Sequence, residues 1–348
     1  MKVLITHERF APDFAGGGEY VVLQTARHLQ RAGVDVRVLT TGDPSITDYE
    51  GIKTHRLPIH PYRFNLAASQ VADFAADVDL IQTFNYHACL PSLRGGRETG
   101  KPVVCMILGL FREAWKEMRG PIVGRMFMAQ EQFLLTREYD RLIFLSEFSR
   151  RMAVKQAPLN SPTSIISPAI ELQNYAPADP KEDVVLFVGK VDVRKGIDDF
   201  LAVATALPQV RFRIFGWPGN GLTLKSSAPD NVEWVEAERG PKLWAEFSRA
   251  RIFFFPSRAE TFGIVLLEAM ASGCAIISTI PLGYEGIQVQ PGDRESMIDA
   301  VSRLWQNPTE TAQMGKSNIQ RSRPYTWESY IRSLLDTYEQ ILARGSST

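Results

Sequence analysis

The stretch Ser257 to Ser278, SRAETFGIVLLEAMASGCAIIS, constrains the fold more than any other in the 348-residue chain. It follows Ile252 to Phe255, an apolar run stopped at Pro256, which suits a short buried parallel strand. Phe262, Val265, Leu266, Ala269 and Met270 then recur at helical spacing up to Gly273, a C-terminal stop. A second apolar run, Cys274 to Ile277, starts another strand. Strand, helix, strand in this order is one unit of a parallel sheet with a right-handed crossover.

Two carboxylates mark this unit as more than scaffold. Glu260 falls in the loop before the predicted helix and Glu268 inside it. If helical, eight residues at about 1.5 Å each separate them by roughly 12 Å. The helix N-terminus between them suits a phosphate. A nucleotide diphosphate sugar fits such a pair, one acid taking sugar hydroxyls and the other the ribose. An ordinary amphipathic helix with two solvated acids is the alternative, and for an isolated pair it is the better one.

The flanks decide between them. The run from the strand through both acids, Phe262-Gly263 and Glu268-Ala269-Met270-Ala271 to Gly273 resembles the E-x7-E signature of retaining GT-B glycosyltransferases, specifically glycosyltransferase family 4. The resemblance implies an α/β GT-B fold, two Rossmann-like doubly wound domains facing a central cleft.

Length agrees with two α/β domains. Lys and Arg total 39 against 39 Asp and Glu, so no global field draws nucleic acid. Three cysteines, Cys89, Cys105 and Cys274, sit in or beside apolar stretches, and none has zinc-like spacing. No disulfide framework and no metal are expected. Met1 to Thr6 is too short for a secretory leader and no apolar run reaches spanning length, so a cytoplasmic location is expected.

Taken in order, Val3 to Thr6 reads as a strand, Ala11 to Gly18 as a glycine-ended loop, and Glu19 to Arg31 as a helix. Gly16, Gly17 and Gly18 lack GxGxxG spacing, and a flexible turn explains them as well as a phosphate turn does. In the family a loop at this place faces donor phosphates and acceptor, which favours these glycines as site residues. Further strands are expected at Asp79 to Thr83, Pro102 to Ile107, Leu142 to Ser146 and Ser164 to Ile166. Ser146 is expected to cap the following helix. Residues 1–176, completed by a terminal helix over 327–348, are assigned to an acceptor domain and 177–326 to a donor domain. Pro177 to Asp183 is the expected linker.

Gly189-Lys190-Val191-Asp192-Val193-Arg194-Lys195-Gly196 follows a strand, and two lysines there suit a departing pyrophosphate. Solvated loop lysines are the alternative. Lys190 stands where the family most often carries Arg, and Lys195 where it carries Lys. Phe215-Gly216-Trp217-Pro218-Gly219 replaces the usual glycine-rich turn. Gly189 and Gly216 are accordingly placed near the nucleotide, although a plain turn serves as well at the second. The resemblance implies that Glu260 and the amides of Phe262, Gly263 and Ile264 hold the donor sugar, that Glu268 holds the ribose, and that Lys190 and Lys195 hold the diphosphate. No cofactor is implied beyond the UDP- or GDP-sugar itself.

One departure concerns the acceptor. Leu108 occupies the place of the family histidine, leaving His87 or Glu113 as substitutes. Phe111 to Met128 mixes aromatics and Met with Arg112, Lys116, Arg119 and Arg125, which suits either peripheral membrane contact or a core helix. The function expected is metal-independent transfer of a sugar to a glycan, lipid-linked or small-molecule hydroxyl. A non-catalytic sugar-nucleotide-binding subunit and a GT-B epimerase are the rivals.

Overall fold

The computed structural model describes residues 1–13, 16–217 and 228–345. The chain forms two compact units, Met1–Pro168 with the helix beginning at Trp327, and Ala169–Thr326. The division falls at Pro168, ahead of the expected linker. Residues 169–176 pack on the second unit, with the Ile170 amide donating to Tyr325 and Tyr175 lying against Trp244 and Phe247. The expected linker itself runs straight into a strand at Glu182.

The first unit is built on β1 (Lys2–Thr6), β2 (Asp35–Thr41), β3 (Asp48–Tyr49), β4 (Ile52–Leu57), β5 (Leu80–Phe84), β6 (Val103–Ile107), β7 (Arg141–Phe144) and β8 (Thr163–Ile165). Their order is β3-β4-β2-β1-β5-β6-β7-β8, parallel throughout except β3. Strands β1, β5, β6 and β7 are wholly or almost wholly buried, as apolar runs covered on both faces must be. Strands β3 and β4 escape the apolar-run reading because β3 is two residues long and β4, IKTHRL, carries only polar residues between Ile52 and Leu57.

The second unit holds β9 (Glu182–Lys190), β10 (Phe212–Trp217), β11 (Val232–Glu236), β12 (Ala250–Phe255), β13 (Ala275–Ser278) and β14 (Gly286–Gln288). They run parallel in the order β11-β10-β9-β12-β13-β14. Phe187, Phe200, Phe212, Phe253, Phe254 and Phe255 fill its core with ring centroids 5.4–6.4 Å apart. The terminal helix Trp327–Gly345 belongs to the first unit, where the Tyr330 hydroxyl meets Thr25 at 2.7 Å and the Tyr338 hydroxyl donates to Gln82 at 2.8 Å.

The glycine helix starts earlier than propensity suggests. It spans Gly17–Arg31 with Gly16 at its N-cap, so Gly17 and Gly18 form its first turn. A Cβ on Gly18 would stand 3.5 Å from Leu108. The approach to this helix is braced by Arg56, 2% exposed, whose guanidinium binds the carbonyls of Ile46 and Ala11 and pairs with Asp13 at 3.3 Å. Burial pulls its pKa below the usual arginine value while Asp13 and Asp43 oppose the fall. Arg56→Ala leaves these carbonyls and Asp13 without their donor. It should cost about 3 kcal/mol, read as a lower urea midpoint at unchanged slope.

Candidate active site

In the second unit the chain leaves β9 outward through β10 and β11, then returns on the other side as β12. The strand order therefore reverses between β9 and β12. Open parallel sheets take ligands at such reversals, beyond the C-terminal strand ends. The loops leaving β9 and β12 there are Val191–Gly196 and Pro256–Gly263.

The first loop closes in a 3-10 turn, Val193–Lys195, capped by the Asp192 carboxylate, which accepts from the Lys195 amide at 3.0 Å. Gly196 follows at φ +75. A Cβ there would lie 2.0 Å from the Pro256 carbonyl oxygen, so only glycine lets the two loops meet. The second loop is fastened by the Arg258 amide and Ser257 hydroxyl, which donate to the Arg194 carbonyl at 2.9 and 3.2 Å. Arg258 also pairs with Asp198 and with the buried Asp199.

This knitting brings the predicted residues together. Lys195 Nζ contacts the Glu260 carboxylate, and Arg194 Nη1 stands 3.9 Å from the same oxygen. The side chains of Lys195 and Glu260 are 15% and 14% exposed. Burial and the Arg194 guanidinium push the Lys195 ammonium well below its usual value, against Asp192. The Glu260 carboxylate in contact is the counter-ion that favours its charge. Arg194, which the motif spacing does not single out, is a third charge here. Lys190 ends β9 beside Trp217, exposed and without a side-chain partner among the described residues.

The helix carrying Glu268 is shorter than the periodicity suggests, Ile264–Ala271, with Gly263 at its N-cap at φ +81. The stretch from Glu260 to Gly263 is loop, so the two acids are not joined by continuous helix. Among the described residues the amides of Phe262, Gly263 and Ile264 donate to no backbone carbonyl. Glu268 has a partner no local pattern indicates. The Tyr175 hydroxyl donates to its Oε1 at 2.6 Å from 93 residues away. Burial raises the Glu268 pKa, while Tyr175 and the Arg239 charge lower it. Arg239 also lies over the Trp217 ring, 5.7 Å from its centroid. Gly216 is enclosed because a Cβ would meet Val191 at 2.5 Å, and Gly189 adopts φ +151. The expected turn continues into Pro218 and Gly219, outside the described residues.

In the first unit, Leu108 follows β6 and packs near Gly18. Glu113, offered as an acceptor contact, is exposed and paired with Lys116 at 2.5 Å. The aromatics of 111–128 divide. Trp115 is buried and stacks on Phe127 at 4.5 Å, while Met118, Ile122, Val123 and Met126 face outward. Their organiser is Glu131, 1% exposed, which accepts from the Phe111 and Arg112 amides, Trp115 Nε1, the Tyr86 hydroxyl and Gln156 Nε2 at 2.7–3.1 Å. Ser146 caps its helix as expected, with Ser149 reciprocating.

The profile for Glycosyltransferase Family 4 matches residues 15–174 and that for Glycosyl transferases group 1 matches residues 182–307, together more than half of the chain. The chain is a GT-B glycosyltransferase. It is 24% identical to a D-inositol 3-phosphate glycosyltransferase of Mycobacterium avium, over 94% of this chain and 90% of that one. Among solved structures this glycosyltransferase is similar to sucrose-phosphate synthase from Thermosynechococcus elongatus, at TM-score 0.84 and 20% identity over 99% of both chains. It is also similar to Anabaena HepE in complex with UDP and glucose, at TM-score 0.78 and 15% identity, covering 98% of this chain and 100% of that one.

Glu268 offers a test without substrate. A carboxyl held above its ordinary value favours the protonated form, so it weakens the fold as pH rises through that value. Tyr175→Phe removes a donor to the ionised form. The Glu268 carboxyl should then titrate at higher pH than in the wild type, followed by carbon-detected NMR of side-chain carboxyls. An unchanged titration would show that Tyr175 does not hold it.

Proposed function

We propose that this glycosyltransferase is retaining and metal-independent, and moves a sugar from a UDP- or GDP-linked donor to a hydroxyl of a glycan, glycolipid or small molecule. The observation that carries this reading is the contact between Lys195 and Glu260 at the sheet's reversal point. This contact supports reading Lys195 as the cation for the departing diphosphate and Glu260 as the acid for the sugar hydroxyls, with Arg194 as a second cation. Phe262, Gly263 and Ile264 supply amides, and Glu268, steered by Tyr175, takes the ribose. Lys190, Gly189 and Gly216 border the nucleotide, and Gly16, Gly17 and Gly18 are the site residues of the first unit. HepE, similar in fold, is known in complex with UDP-glucose, which favours a uridine donor.

In this mechanism the acceptor oxygen forms its bond to the anomeric carbon as the bond from that carbon to the β-phosphate oxygen breaks. The hydroxyl proton passes to the departing phosphate on the same face, so configuration is kept. The chain's contribution is orientation and stabilisation of charge that grows on the phosphate.

The testing experiment is a screen of UDP-, GDP- and other nucleotide sugars without added metal, read by thermal stabilisation and by sugar release. One donor should stabilise the protein and be turned over. Glu260→Gln and Lys195→Met should each lower kcat by at least about 100-fold while unfolding stays cooperative. Near wild-type rates would sink the assignment. Stabilisation without turnover, with acceptors present, would favour a binding subunit.

Peripheral membrane contact belongs to the same reading. The exposed Ile122, Val123, Met126 and Phe133 of helix Pro121–Leu135, with Arg119 and Arg125 nearby, suit an anionic bilayer surface. Among the described residues no helix is long and apolar enough to cross a membrane. The protein should float with phosphatidylglycerol vesicles, and Ile122→Glu with Met126→Glu should release it.

A further inference from the structure

Arginines that folding takes out of water are expected in ion pairs. Arg56 has carbonyls and Asp13, Arg213 has Glu182, Glu233 and Glu246, Arg251 has Asp183, and Arg258 has Asp198 and Asp199. Arg141 departs from this pattern. It is 9% exposed, yet no acid or carbonyl among the described residues accepts from its guanidinium. Of the guanidinium nitrogens only Nε is sealed from solvent, so a ligand can reach the other two.

Arg141 opens β7 at the N-terminal end of the first sheet, away from the loops that follow β1 and β6. The two faces of β7 have different neighbours. Leu142 and Phe144 join Leu134 and Leu135 in one apolar cluster, so alternation turns Arg141 and Ile143 to the other face. The terminal helix covers that face, with the Tyr330 hydroxyl 3.5 Å from Met106 Sδ and the Tyr338 hydroxyl on Gln82. Gln82, Val104 and Arg141 stand in register across β5, β6 and β7. Arg344 lies in the last turn of this helix, exposed, three positions after the buried Ile341.

Neighbouring charges do not relieve Arg141. Burial and the Arg344 charge both lower its pKa, and no carboxylate opposes the fall. Asp140 precedes it on the alternate face and accepts from the Val103 amide at 2.7 Å. Glu138 is exposed in the loop before β7, and Asp336 and Glu339 fall on the outward side of the terminal helix. An arginine does not give up its proton in a protein, so the charge persists. Two cations together, one of them almost buried and without a counter-ion, are strongly unfavourable unless an anion joins them.

We infer that Arg141 and Arg344 form a site for a phosphate group, at the end of the first sheet remote from the loops after β1 and β6. The planar fork of Arg141 matches two oxygens of a phosphate, and Arg344 supplies a further donor. A soluble phosphate and a lipid headgroup share this chemistry. Helix Pro121–Leu135, whose outer side is the proposed bilayer contact, packs through Leu134 and Leu135 on the opposite face of the sheet. That placement favours the soluble form.

Inorganic phosphate is the probe, added to the full chain at constant ionic strength and followed by equilibrium dialysis and by the unfolding temperature. It should bind saturably to the wild type, and equally to Lys195→Met, which removes a cation of the other unit's site. Arg141→Met should weaken binding by about tenfold or more. Without phosphate this variant should unfold no lower than the wild type, because it removes a buried charge that has no partner. Arg344→Gln, at an exposed position, should weaken binding by about threefold or more. Phosphatidylglycerol vesicles should leave bound phosphate in place; displacement by them would support the same site with a lipid headgroup as its source. No saturable binding, wild-type binding in Arg141→Met, or loss of binding in Lys195→Met would overturn the inference. So would a phosphate-free midpoint for Arg141→Met clearly below that of the wild type, the mark of an arginine already partnered within the fold.

Discussion

The approach of Gly196 to the Pro256 carbonyl is the constraint on which the second unit's chemistry depends. Strands β9 and β12 are neighbours in the sheet, but neighbouring strands alone do not bring their following loops into contact. The absent side chain at Gly196 lets the loops touch, and Arg194, through its carbonyl, ties the second loop to the first. Only then do Lys195 and Glu260, 65 positions apart in sequence, share one ion pair. A pair so little exposed is poor evidence of stability, since desolvation offsets much of its attraction. Its consequence is positional: each charge fixes the other where the two loops meet.

The same accounting separates Glu268 from Glu131. Both are carboxylates removed from water. Glu268 keeps one oxygen for Tyr175 and has the Arg239 charge to favour ionisation, so it retains capacity for a ligand hydroxyl. Glu131 spends both oxygens on five neutral donors and has none to spare. It is an anchor for the loop after β6, fixing Phe111 and Trp115 from a helix some twenty residues later. Equal residue types thus take different roles through the donors that reach them.

What was legible in the chain follows from how local each feature is. The parallel strands announced themselves as apolar runs, and Glu260, Glu268 and Lys195 stood in contiguous motifs whose spacing could be read directly. Strand β4 did not, because near a sheet edge only alternate positions are buried, and IKTHRL then resembles a polar loop. The helix start at Gly17 opposed glycine's low helix propensity, which tertiary packing near Leu108 overrides. The partners Tyr175, Arg239, Arg56 and Glu131 were not visible at all. Each reaches targets from 10 to 93 residues away, and nothing in its own neighbourhood distinguishes it from a surface tyrosine, arginine or glutamate.

The two sheets differ in the charges that stand at their reversals. At the second sheet's reversal stand the exposed Lys190 and the largely covered Lys195 and Arg194, with acids paired against them or held by a hydroxyl. At the first sheet's reversal Arg56 is buried against carbonyls and Asp13, and the loop after β1 carries His7, Glu8 and Arg9. Charge developing on a leaving phosphate needs fixed cations, whereas hydroxyl groups need acceptors that have no donors of their own. A chain with 39 cationic and 39 acidic side chains shows no such preference in sum. Folding buries Arg56 in one unit and leaves Lys190 exposed in the other.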